Sequence, residues 1–254
     1  MVDGMRTDGV GQRTIQYVHA TIRAALEHAY REELVTRNVA KLVQVERPRP
    51  TPKEPLSVAE ARTLLTATAD DRHHALWVLM LMLGLRRSEF CGLRWDHVDL
   101  TSKTLRITQT VQRVDGKLRE MPTKTRRSTR TVPLPPRAHL ALVRRHQDLS
   151  VDDGQASAAS SGIYVFGTRN GTPLEPRNLT RMWTELCQAQ GIRSVPLHGL
   201  RHTCVSLLLA QGVHPRIVME IVGHSAIEMT MNVYGHVNLD NQRKALEELD
   251  KELS

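Results

Sequence analysis

The chain has 254 residues, 40% of them apolar, a net charge of +8 and three cysteines (Cys91, Cys187, Cys204) far apart in sequence. That length suits one large domain or one with a partial second. The absence of a CxxC pair argues against a zinc ribbon or a secreted disulfide scaffold. The longest apolar run, Ala75 to Leu85, is too short to span a bilayer, and no signal peptide opens the chain, so a cytoplasmic protein without a membrane partner is expected.

Gln12 to Glu33 carries helical apolar spacing through Ile15, Val18, Ile22, Ala25, Leu26 and Ala29. A short helix is expected around Val39 to Val43. Glu46 to Pro55, with four prolines, reads as a linker because proline removes backbone donors. Ser57 followed by Glu60 is a capping-box start. A very apolar helix is expected over Arg72 to Leu83, buried all round, then a short one capped by Ser88 and ending near Leu93.

From Leu105 to Val132 the pattern turns β-branched and basic, with Asp115-Gly116 as a hairpin turn, which predicts a small antiparallel sheet. Helices are expected over Pro136 to Leu149, Pro176 to Gln190, His198 to Gln211, Pro215 to Val222, Ile227 to Val233 and Asp240 to Leu253, with a surface loop at Val151 to Gly162. The fold class is therefore mostly α with a small antiparallel β-sheet (α+β).

Charge is concentrated. Thr101 to Leu140 holds ten basic residues against two acids, a surplus equal to that of the whole chain. Such a block points to a polyanion, most often nucleic acid, with a solvated charged hairpin as the alternative. In LHGLRHTCVSLLLAQG, a 3.6-residue period puts His198, Arg201, His202 and Val205 on one face and Leu200, Cys204, Leu207 and Leu208 nearly opposite. A surface ion pair would give the same pattern. Arg86 follows the apolar helix in LGLRRSEFCGLRW, with Glu89 three residues on. Lys124, in PTKTRRSTRTVPL, is one of only 7 lysines among 35 basic residues. A lysine can give up a proton at reachable cost, whereas an arginine effectively cannot. GHSAIEMTMNVYGH supplies His224 and Tyr234, one of four tyrosines in the chain. Tyr234 shares a face with Ile227 and Met231, so core packing is an alternative; His224 and His236 lack a third metal ligand at matching spacing.

In this order, the GLRRSE box, the PTKT…R…VPL strand, the HxLRHT helix and the GHS…Y segment resemble the tyrosine recombinases, also called the phage integrase family. The resemblance covers about Leu56 to His236. It implies the catalytic-domain fold of that family, Tyr234 as nucleophile, Arg86 and Arg201 as phosphate clamps, and His198 as proton-transfer partner. It further implies Lys124 as general acid, His224 as a second phosphate donor and Glu89 as a supporting residue. Two forked guanidinium groups suit charge growing on a phosphate. No carboxylate cluster for Mg²⁺ is apparent, so neither a metal nor another cofactor is expected.

Arg126, Arg127 and Arg130 are expected to contact the DNA backbone. Double-stranded DNA is the expected partner, with a homotetramer in a synapse and a monomer or weak oligomer when free. The expected layout is a partial core-binding helical domain at 1–45, a linker at 46–55 and a catalytic domain with a C-terminal tail helix at 56–254. Two departures stand out. Gly199 replaces the family's usual aspartate, and a glycine within a helix, costing about 1 kcal/mol, would loosen His198 and Arg201. The amino-terminal part resembles only the last two helices of the usual domain, which would leave an apolar face exposed. The alternatives are a truncated, catalytically weak or inactive DNA-binding remnant, and a topoisomerase-like relaxing activity. The amphipathic tail, Leu239 to Ser254, packs in cis or on a neighbouring protomer.

Overall fold

A computed structural model describes residues 1–46, 54–123, 128–152, 163–168 and 170–223. Contacts divide the chain into two units, Met1–Pro52 and Lys53–Ser254. Lys124, Arg126, Arg127, His224, Tyr234 and the expected helices beyond Gly223 lie outside the described residues.

In the first unit, α1 (Val2–Thr7) leads into α2 (Gln12–Arg31), which packs on a short 3₁₀ turn at Val39–Leu42. The junction is polar. His19 Nε2 lies 2.9 Å from the Ala40 carbonyl, and Asn38 Nδ2 donates to the Arg23 carbonyl and the Glu27 carboxylate. Ile15 is the one residue α2 buries, while Tyr17 (60% exposed), Tyr30 and Leu42 (72% exposed) face outward. Little apolar area leaves water here, so hydrogen bonds rather than a core define the arrangement.

The second unit is built around α4 (His74–Leu83), preceded by α3 (Val58–Ala67). Ser57 and Glu60 form the expected capping box: Ser57 Oγ accepts from the Glu60 amide, and Glu60 accepts from the Ser57 amide at 2.7 Å. Every residue of α4 from Ala75 to Leu83 except Met82 is buried, because α3, α6 (Pro136–Asp152) and α8 (Gly199–Ala210) all pack on it. Trp77 meets Trp183 of α7 (Pro176–Ala189) with ring centroids 5.5 Å apart, and Trp183 Nε1 donates to the Val195 carbonyl.

Two β features flank these helices. β1 (Val98–Asp99), β2 (Thr104–Ile107) and β5 (Arg130–Pro133) form an antiparallel sheet in the order β1-β2-β5. Separately, β3 (Gln109–Val114) and β4 (Lys117–Pro122) form a hairpin. Asp115 and Gly116 turn it with φ of 49° and 75°, the two left-handed residues a tight hairpin turn needs. Leu105, Ile107 and Val132 point into the core on the period of two.

α8 departs from the amphipathic reading. Leu200 and Cys204 are buried, but so are Arg201 and Val205 on the other face. The helix is packed between α4 and α9 (Pro215–Val222), so both flanks are covered. Gly199 is also placed differently from expectation. It is the first residue of α8 rather than an interior one, and the helix penalty applies to interior positions. A Cβ there would lie 3.2 Å from Val195.

Candidate active site

The end of α4 creates the site. Gly84 closes the helix in the left-handed conformation, with φ of 57°. A Cβ on Gly84 would sit 3.0 Å from Val222 Cγ1 and 3.3 Å from Cys204, so glycine also permits the close approach of α8 and α9. Its carbonyl accepts a 2.6 Å bond from Arg201 Nη1. Two residues later Arg86 sits in extended backbone before α5 (Arg87–Cys91). Ser88 is therefore inside the helix rather than its cap. Arg86 is the N-cap, and the carboxylate of Glu89, three residues on, accepts from its amide at 3.0 Å.

Glu89 is the centre of the arrangement. Its side chain is 1% exposed. Arg86 Nη1 donates to Oε1 at 2.6 Å, and Arg130 donates from Nη1 to Oε1 at 3.3 Å and from Nη2 to Oε2 at 3.1 Å. Burial pushes this carboxyl up, but the Arg130 and Arg86 guanidinia outweigh it and hold the group below the ordinary carboxylate range. Arg201, 2% exposed, joins the group from α8. Burial first and the Arg86 charge second push its guanidinium down to about 9, while Glu89 acts in the opposite sense. Two guanidinia thus pair with one buried carboxylate, and a third lies within its electrostatic reach. The surplus of two positive charges makes this a place where an anion is favoured.

Arg130, expected to contact the DNA backbone, has a side chain only 7% exposed. Besides Glu89, it donates from Nε to the Ile221 carbonyl at 2.8 Å and from Nη1 to the Ser128 carbonyl at 3.1 Å. Arg86, half-buried, donates from Nη2 to the Gly223 carbonyl at 2.6 Å. Both arginines therefore hold the C-terminal end of α9, where Gly223 caps the helix in the left-handed region.

A groove of about 790 Å³ opens beside this cluster, lined by Arg86, His198, Arg87, Arg113 and Arg177 among others. His198 is exposed and its ring meets that of His202 edge-on, with centroids 4.8 Å apart. The structure thus brings Arg86, Glu89, Arg130 and Arg201 into one network and places His198 with Arg86 along one groove. Sequence reading missed Arg87, which donates to Thr180, and Arg113, which pairs with Glu175 at the start of α7. Their clustering depends on contacts 93 and 62 residues apart, which no local pattern announces.

The hairpin is tethered independently. Arg94 donates to Glu120 of β4 and lies over the Tyr164 ring, whose hydroxyl donates to the same carboxylate. β4 ends two residues before Lys124. Among the described residues no group of three histidine, cysteine or acidic side chains could hold a metal, and no helix is long and apolar enough to cross a membrane.

A mostly helical body with small antiparallel sheets is the architecture of tyrosine recombinase catalytic domains. The Phage integrase family model matches residues 54–241, and the chain belongs to that family. It is similar to an integrase of Saccharopolyspora erythraea, 26% identical over 92% of this chain and 65% of that one. It therefore spans slightly less than two thirds of that relative's length. Tyrosine recombinase XerC of Bacillus pumilus (strain SAFR-032) is 30% identical over 93% of this chain and 74% of that protein. Among solved structures, the Tn1549 transposon integrase in complex with transposon right end DNA aligns with a TM-score of 0.82 at 25% identity, covering 98% of this chain and 83% of that one.

Proposed function

We propose that the chain is a site-specific DNA recombinase or integrase that cuts and rejoins duplex DNA through Tyr234. The observation that carries this reading is the buried network of Arg86, Glu89, Arg130 and Arg201, whose excess positive charge borders the groove holding His198. Membership of the phage integrase family and the likeness to a DNA-bound integrase support it.

In this reading the Tyr234 phenol oxygen attacks a backbone phosphorus, and the bond to the 5′-oxygen breaks. Lys124 protonates that leaving oxygen, and His198 takes part in proton transfer. Arg86 and Arg201, with His224, stabilise charge on the non-bridging oxygens. Glu89 supports Arg86. The product is a 3′-phosphotyrosyl bond, whose reversal by another strand's 5′-hydroxyl needs no nucleotide triphosphate. Arg126 and Arg127 contact the DNA backbone, and strand exchange takes place in a homotetrameric synapse. A phenol ionises near pH 10, and the clustered cations favour its phenolate.

A nicked suicide duplex tests the proposal. The wild type should leave a covalent protein–DNA adduct that Tyr234→Phe abolishes. Binding without an adduct on any recognised site supports a DNA-binding remnant instead, and supercoil relaxation without recombinant product supports a topoisomerase-like activity.

A further inference from the structure

We infer that Arg130 is a positioning residue that sets the cleavage geometry by joining Glu89 to the end of α9, and that it makes no contact with DNA. This rests on the reading of Arg86 as a phosphate clamp and Tyr234 as the nucleophile. One guanidinium performs three connections. Its two terminal nitrogens grip both oxygens of Glu89, the carboxylate that also fixes Arg86. Its Nε donates to the Ile221 carbonyl, and Nη1 also donates to the Ser128 carbonyl, two residues before β5.

Arg86 makes the parallel bond to Gly223, so two arginines bridged by one carboxylate hold the last turn of α9. Gly223 is the point from which the chain continues to His224 and Tyr234. A planar fork with a separate Nε donor can make these bonds together, whereas a lysine ammonium is a compact point charge. The fit is close. A Cβ on Gly223 would lie 2.6 Å from Arg130 Nη1 and 2.9 Å from its Cζ, so guanidinium and glycine backbone are in direct apposition.

The full chain carrying Arg130→Lys tests this. It keeps a positive charge beside Glu89 but gives up the fork. Single-turnover adduct formation on the suicide duplex should slow about 100-fold, the scale of a misplacement of roughly 1 Å. Duplex Kd and the slope of its salt dependence should stay as in the wild type. Hydrogen exchange in the last turn of α9 should rise while α4 remains protected. Gly223→Ala, which retains every charge but crowds the same guanidinium, should slow cleavage as well, and the two changes together should cost less than the product of their separate effects.

Weaker binding by Arg130→Gln, with a salt slope flattened by about one, would make Arg130 a phosphate contact and overturn the inference. So would normal cleavage by Arg130→Lys, or multiplicative effects of the two substitutions. A wild type without any adduct overturns the reading of Tyr234; an active wild type beside an unimpaired Arg130→Lys overturns this inference alone.

Discussion

Arg86 and Arg130 share the carboxylate of Glu89, at 2.6 Å and 3.1 Å, the first from three residues away and the second from 41. Removing that carboxylate leaves the buried Arg130 guanidinium without its counter-charge, beside the half-buried Arg86. Glu89→Ala should lower unfolding free energy by about 3–5 kcal/mol, the cost of breaking a buried ion pair by deleting one partner. Glu89→Gln, which retains the shape and an acceptor, should cost less. Urea denaturation of both variants measures the difference.

Arg193 ties the start of the second unit together, donating to the Glu54 and Pro55 carbonyls and to Glu60. The Arg193 hydrogen bond is the main reason the Glu60 carboxyl falls from 4.5 to about 2. A depressed carboxylate stabilises the fold fully above its unfolded value, and that contribution disappears as pH falls through the folded one. Stability should therefore decline between about pH 4.5 and pH 2 partly through this group. Arg193→Ala should flatten that decline in pH-dependent denaturation; an unchanged profile would remove Glu60 as a contributor.

Gly84 meets two demands at once, a left-handed backbone and contact with Val222. Gly84→Ala should destabilise the protein by about 1–3 kcal/mol, the scale of backbone strain for a non-glycine residue there. Thermal unfolding should also show that Gly116→Ala, where a Cβ meets nothing, costs less despite a similar φ.

Within the groove, Glu175 pairs with Arg113 and is held below the ordinary carboxylate range by that hydrogen bond. If the groove receives DNA, this carboxylate opposes binding and occupies a cation. Glu175→Gln should tighten binding of any duplex. Arg113→Ala and Arg177→Ala should weaken it and flatten the salt slope by about one each. Titrations at several salt concentrations decide this.

Much of the scaffold was legible. Ser57 with Glu60, the all-apolar run before Gly84 and the Asp115-Gly116 pair each encode a local geometry, and each is found as expected. The family resemblance implies Glu89 as a support for Arg86, whereas the helix start expected at Ser88 is found at Arg86. The fate of Arg130 was not legible. In sequence it resembles Arg126 and Arg127, members of one basic run, and its carboxylate partner lies far upstream. The second flank of α8 was hidden for a related reason. Periodicity shows which residues share a face, whereas burial of both faces depends on α4 and α9 arriving from elsewhere in the chain.

Peptide mapping of the covalent adduct from a suicide duplex tests the central claim most directly. The chain has four tyrosines, Tyr17, Tyr30, Tyr164 and Tyr234. The account predicts a single modified peptide with the 3′-phosphate on Tyr234. A phosphate on another residue, or duplex bound with no adduct formed, contradicts it.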